Sequence, residues 1–363
     1  MKKLSLIFIA LFAVGFTMAQ NTSNTQSIGS SNVVSVQQIG SNNLVGRIAT
    51  IYSPVTYSSQ TGNVNKATVT QNGSANQVFF EQGVSYRYPG TYAPGNNNEI
   101  TVIQTGNNNS GGGFSLGNRN IVNLTQVSSY NYGGHWLWGD DNKSTISQSG
   151  NNENWAYSSA NSSNNTSNIT QIGYKNDAST SQGWVGNAYH NNNNASISQT
   201  GNYNVVSLAL PAAFNFTIPG YTSDLYGFGI QQYGQDNVGS VNQVGNYNAA
   251  AIYQYGHRNE GRITQGYDAN KANLFQVGSD NFARLDQTSG AEANIRQEGN
   301  NNILKGIGGI GDEWTAYSYE GSKLNLDQLG NFNVLNLYQR NGAVANVLLD
   351  GNSNVTTVSQ TPN

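Results

Sequence analysis

Cysteine is absent from the 363-residue chain, which excludes disulfides, thiol nucleophiles and cysteine metal sites at once. Charge is nearly as scarce. Asp, Glu, Lys and Arg supply 10 % of the residues, against the ~25 % usual in globular domains. The 16 Lys and Arg are spread thinly, so no basic stripe marks a nucleic-acid surface. No helical periodicity and no membrane-spanning apolar run follow the first 19 residues. His135, His190 and His257 are far apart, are expected in loops or turns, and lack a His-x-x-x-His or Asp-rich context. No metal, cofactor or nucleotide site is therefore expected. The scattered acids, such as Asp236, Asp280 and Glu298, form no catalytic cluster, so an enzyme built on a solenoid ranks last.

What fills the chain instead is Asn, Gln, Ser, Thr and 42 Gly. An uncharged polar sequence of this kind is either disordered or held together by hydrogen-bonded ladders. The 5 Trp, 21 Tyr and 12 Phe argue against simple disorder. The order of the residues decides the matter.

Met1–Ala19 reads as a secretory signal peptide. Lys2 and Lys3 precede a short apolar run from Leu4 to Phe16, and Thr17-Met18-Ala19 offers a cleavage site before Gln20. The run is shorter than the ~20 residues a membrane helix needs. Residues 20–363 are then expected to be exported as a single repeat domain.

Gln38, Gln60, Gln82, Gln104, Gln126 and Gln148 are spaced by 22 residues, and Gln232, Gln243, Gln254, Gln265, Gln276 and Gln287 by 11. Upstream of each Gln the residue types alternate. Asn270, Ala272, Leu274 and Gln276 share one parity, as do Asn248, Ala250, Ile252 and Gln254. In a strand that parity lines one face, so Asn, Ala, an aliphatic residue and Gln point inward while Ser, Thr and Tyr point to solvent. After each strand comes Gly-x-x-Asn, in which Gly accepts positive φ and Asn a left-handed conformation, so the tetrad reads as a tight turn. The turn glycines are Gly62, Gly73, Gly173, Gly245, Gly256, Gly278 and Gly330. The fold expected is all-β: a two-sided β-solenoid of stacked ~22-residue strand-turn-strand coils, roughly fourteen of them, with parallel strands and columns of identical side chains. Aromatic-rich insertions, read as loops bulging from turns, are expected near 84–95, 127–140, 207–229 and 305–320.

The repeat resembles that of curlin, the subunit of bacterial curli fibres, whose pattern is Gln-x-Gly-x-x-Asn-x-Ala-x-x-x-Gln. Full copies stand at Gln60-Gly62-Asn65-Ala67-Gln71, Gln171-Gly173-Asn176-Ala178-Gln182, Gln243-Gly245-Asn248-Ala250-Gln254 and Gln276-Gly278-Asn281-Ala283-Gln287. Near copies carry Val78 or Gly239 at the Ala position, and a Gln is lost at Asp350. The resemblance spans almost the whole exported chain. It implies a functional amyloid that crosses the outer membrane through a dedicated pore with accessory chaperones. The chain would then polymerise with itself and a related subunit at the bacterial surface, for adhesion and biofilm. It further implies that the ladder residues drive self-assembly. Here those positions are Gln60, Asn65, Gln71, Asn76, Gln82, Gln104, Gln171, Asn176, Gln182, Gln243, Asn248, Gln254, Gln265, Gln276, Asn281, Gln287, Gln328, Asn333 and Gln339. Major fibre subunit, minor nucleating subunit and monomeric solenoid adhesin binding surfaces or glycans through its aromatic loops all remain open. The strand pattern persists in Asn32–Gln38 and Asn354–Gln360, which suggests head-to-tail templating.

Overall fold

The computed structural model describes residues 20–46, 57–83, 95–150, 152–183, 191–206, 229–307 and 312–361. The segment 1–19 read as a signal peptide lies outside them, as do most of the expected insertions near 84–95 and 207–229.

Two parallel sheets, of sixteen and fourteen strands, stack face to face. We call them sheet A, which contains Gln254, and sheet B, which contains Gln265. Three rows of sheet A and one of sheet B are each split into two strands, so both sheets have thirteen rows and the described residues form thirteen coils. The sequence reading of roughly fourteen compares with these thirteen. The chain alternates between sheets, and each strand pairs in parallel with its counterpart one coil on, as Ala249–His257 does with Lys271–Ser279.

The alternation of residue types does what the pleat requires. Asn270, Ala272, Leu274 and Gln276 are all buried at 2 % exposure or less, while Lys271, Asn273 and Phe275 between them face outward. Aliphatic columns from both sheets meet in one long apolar seam running from Val45 to Leu349. Burial of this seam supplies the hydrophobic stabilisation, at roughly 25 cal/mol per Å² of apolar surface removed from water.

The turns follow a variant of the expected geometry. Gly278 has φ +112°, and a Cβ there would lie 1.9 Å from the Gly299 carbonyl oxygen of the next coil. Glycine is thus imposed both by the backbone angle and by the tightness of stacking. The left-handed residue is not the Asn, however. It is the residue before it, as with Val64, Ala75 and Tyr247 at φ 56–59°. The Asn itself turns inward.

Four expectations are corrected. Residues 127–140 are not an inserted loop, because Tyr132–Trp138 is a regular strand paired with Ser110–Leu116 and Trp155–Asn161. Its inward residues, Gly133, His135 and Leu137, depart from the pattern, which disguised it. Leu124 from sheet B fills the space, and a methyl on Gly133 would lie 2.4 Å from it. Second, the insertions near 207–229 and 305–320 leave from mid-strand rather than from turns. Ala178 pairs with Val206 and Thr180 with Ile230, so 207–228 exits between adjacent row positions. Leu285 pairs with Ala316 in the same way, and Ala316–Tyr319 is strand rather than loop. Third, the 22-residue series Gln38 to Gln148 is not one column. Gln60 and Gln82 stand in sheet A, whereas Gln38, Gln104, Gln126 and Gln148 stand in sheet B. Extra segments at 47–57 and 84–94, each the length of one 11-residue unit, keep the spacing while switching the sheet. Fourth, the Gln lost near the C-terminus is replaced by Leu349, opposite Gln328, and not by Asp350. The last coils are 21 residues long, one short of the repeat.

Candidate functional site

The candidate site is the set of amide columns that line the inner edges of the stack. Gln254 shows the unit of construction. Its Nε2 donates to Gln276 Oε1 at 2.9 Å, to Val238 O of the opposite sheet at 2.9 Å and to Asn259 O at 3.0 Å. Carbonyl oxygens only accept, so the two backbone bonds fix which way the amide points. The same direction recurs throughout. In sheet A, Gln60 donates to Gln82 at 2.7 Å, and Gln182 leads through Gln232, Gln254, Gln276 and Gln297 to Gln328. In sheet B, Gln71 donates to Gln104, and the series continues through Gln126, Gln148, Gln171, Gln199, Gln243 and Gln265 to Gln287. Gln339 donates to Gln360 at 2.7 Å.

The asparagines run the other way. Asn259 gives both its backbone N and its Nδ2 to Asn237 Oδ1, at 3.1 Å each, and a further Nδ2 bond to Gly278 O at 2.9 Å. Asn98 does the same to Asn65, Asn109 to Asn76, Asn176 to Asn154, Asn270 to Asn248, Asn281 to Asn259 and Asn354 to Asn333. The side-chain ladder of the glutamines therefore runs toward the C-terminal end and that of the asparagines toward the N-terminal end, while the asparagine Nδ2 also donates to a turn carbonyl one coil on. Every ladder residue read from the sequence is brought into one of these columns. Each bond contributes about 1 kcal/mol net, but a buried amide left unpaired costs about 1–3 kcal/mol, so the columns act mainly by enforcing register.

The columns have breaks. In sheet A, Ser115, Leu137 and Ala160 occupy the Gln position of three consecutive rows, and Ser318 does so in sheet B. Below these breaks Gln182 Oε1 and Gln339 Oε1 have no hydrogen-bond partner among the described residues. Sequence reasoning also missed an outward ladder, Asn273 to Asn294 to Asn325 to Asn346, with bonds of 3.1, 3.1 and 2.8 Å. These asparagines sit on the solvent parity, where the repeat pattern places no constraint.

His135 departs furthest from its expected loop position. It lies inside the stack, and its Nδ1 meets Ser144 Oγ at 2.7 Å across the core. Burial pushes its pKa down to about 3, so it is neutral over most of the pH range. Asp177 faces outward but is mostly covered, which raises its carboxyl to about 6. Several ion pairs join successive coils at the surface, among them Arg119 with Asp141 at 2.6 Å and Arg258 with Asp280 at 2.7 Å. Exposed pairs of this kind stabilise little.

The two ends of the stack differ in what they offer. At the C-terminal end sheet B finishes with Asn354 and Gln360, while sheet A finishes with Ala343 and Leu349 at the corresponding positions. At the N-terminal end sheet B begins with Asn32 and Gln38. The inward residues Val34, Val36, Val347 and Val358 are only partly buried, because each borders an end of the stack. Among the described residues no helix is long and apolar enough to cross a membrane, and no three His, Asp or Glu side chains gather as a metal site. No protein-family profile matches this chain, and no curated protein matches it.

Proposed function

We propose that this chain is a secreted structural subunit, similar to curlin, whose coils stack end to end into an extracellular fibre for adhesion and biofilm matrix. The observation that carries this reading is the polarity of the columns in sheet B. Gln360 accepts from Gln339, which makes its own Nε2 the next donor in the series, and Gln38 donates to Gln71, which makes its Oε1 the next acceptor. Asn354 Oδ1 and the backbone N of Asn32 are matched in the opposite sense. A second copy placed on the last coil would set Val358 over Val36 and Gln360 over Gln38, and would cover the half-buried valines. Two like ends would either reverse the strand direction or set sheet A over sheet B, and in both cases the Gln and Asn columns would not continue in register. The fit favours head-to-tail growth over any symmetric dimer. Strand edges that are unpaired among the described residues at both ends would add the main-chain hydrogen bonds.

The test is to dilute residues 20–363 from denaturant and follow thioflavin T fluorescence, then diffraction from the product. Fibres with reflections near ~4.8 and ~10 Å support the proposal. A β-rich monomer that stays soluble would overturn it.

A further inference from the structure

One patch of sheet A has a shape that folding and stacking require only in part. At the central outward position of two successive rows stand Gly112 and Gly134, paired in register. The same column carries Phe79 one row before and Tyr157 one row after. Tyr132 and Trp136 flank Gly134 along its own strand. The result is a cavity of about 220 Å³ with a glycine floor and largely aromatic walls, interrupted by Gln77 and Ser110. The walls brace one another: Phe114 lies 5.1 Å from Trp136, and Trp155 stacks on Tyr132 at 5.8 Å and on Tyr157 at 6.1 Å.

The two floor glycines have different causes. Gly112 has φ +141°, and a Cβ there would lie 1.8 Å from the Phe79 carbonyl oxygen, so the fold demands it. Gly134 has no such constraint. Its added Cβ would meet only side-chain atoms, Tyr157 Cδ2 at 3.0 Å and Tyr132 Oη at 3.3 Å, which means it would occupy the cavity rather than disturb the stack. A glycine inside a strand weakens it, and at this position what the glycine provides is open space.

Among the described residues no Asp, Glu, Lys or Arg lines the cavity, and His135 faces the core on the other side of the sheet. The polar groups at hand are the Gln77 amide, the Ser110 hydroxyl and tyrosine hydroxyls. Flat apolar faces with a neutral hydrogen-bonding edge match a pyranose ring, whose C–H face stacks on aromatics while its hydroxyls seek amides and hydroxyls. The size fits one ring; drug-sized ligands occupy roughly 300–1,000 Å³. We infer that this glycine-floored pocket binds a single sugar residue of a neutral glycan. It opens sideways from the stack, away from both end coils, so this reading stands whether or not the chain polymerises.

The test uses residues 20–363 and a panel of neutral oligosaccharides, gluco-, manno- and chito-configured, with choline as a cationic probe. Binding is read from intrinsic tryptophan fluorescence, since Trp136 belongs to the wall and Trp155 stacks on its Tyr132 and Tyr157, and by calorimetry. Saturable binding of a neutral sugar is expected, weakened roughly tenfold or more in Gly134→Ala and in Tyr132→Ser. Tyr132 is 41 % exposed, so its variant leaves the fold intact should Gly134→Ala perturb it, and circular dichroism checks both. Failure of every neutral sugar, equal binding by both folded variants, or preference for choline would each overturn the inference.

Discussion

Gln254 Nε2 reaches Gln276 Oε1 at 2.9 Å, one coil toward the C-terminus. Five residues after Gln254, Asn259 reaches back to Asn237 at 3.1 Å, one coil toward the N-terminus. The two columns make the stack directional, and each coil is locked to both neighbours by amides that also bond backbone carbonyls. Five expected outcomes follow from that arrangement.

Replacing Gln254 by Ala leaves Gln232 Nε2 without its side-chain acceptor and Gln276 Oε1 without its donor. The loss expected is about 3 kcal/mol, whereas Asn273→Ala on the outward ladder costs less than about 1 kcal/mol. Denaturant unfolding of freshly refolded monomer, followed by circular dichroism, measures both. Equal losses would contradict the weight given to the buried column.

Glycines at turns differ sharply in what they tolerate. Gly278→Ala puts a methyl 1.9 Å from a carbonyl oxygen of the next coil, while Gly290, at φ +77°, has nothing within 4 Å. The first variant should fail to stack at that coil. Gly290→Ala should lose only about 1–2 kcal/mol from its left-handed backbone. Thermal melts of the two variants give the comparison.

His135 makes stability depend on pH. Its folded pKa of about 3 lies below the ordinary 6.5, so between those values the unfolded chain binds a proton that the folded chain does not. Stability therefore falls as pH drops from 6.5 to 3, by up to about 1.4 kcal/mol per unit. Asp177, raised to about 6 from 3.8, acts in the opposite sense, adding stability as pH falls between those two values. The paired variant His135→Val with Ser144→Ala removes both halves of the buried bond and isolates the histidine contribution. A wild-type pH profile that matches the variant would contradict the burial of a neutral imidazole.

Much of this was legible in the sequence, because the repeat encodes its own geometry. The parity series Asn270, Ala272, Leu274 and Gln276 identifies the inward face without ambiguity, and all four residues are buried. Assignment of columns was not legible. Inserted segments as long as one unit, at 47–57 and 84–94, preserve a 22-residue spacing while moving Gln60 and Gln82 to the other sheet. The row Tyr132–Trp138 was hidden because its interior is built from Gly133, His135 and Leu137, a combination that only Leu124 across the core makes sensible. No local signal reveals a side chain contributed from the facing sheet.

Removal of the last donor should slow growth. Gln360→Leu keeps the bulk of the side chain but ends the sheet B column at Gln339. Seeded elongation by thioflavin T should be several-fold slower, with Ser359→Ala, at the neighbouring exposed position of the same strand, close to wild type. Unchanged elongation in Gln360→Leu would mean that the column does not continue between copies.

The most direct measurement uses the natural absence of cysteine. Val36 and Val358 hold the same inward position in sheet B, at opposite ends of the stack. Neighbouring parallel rows lie ~4.8 Å apart, within disulfide reach. Val36→Cys and Val358→Cys chains are made separately, assembled as a mixture, and oxidised. Head-to-tail stacking predicts disulfide-linked dimers containing one chain of each kind and none from either variant alone. Fibres that form without the mixed dimer, or that give dimers of a single variant, would contradict the account.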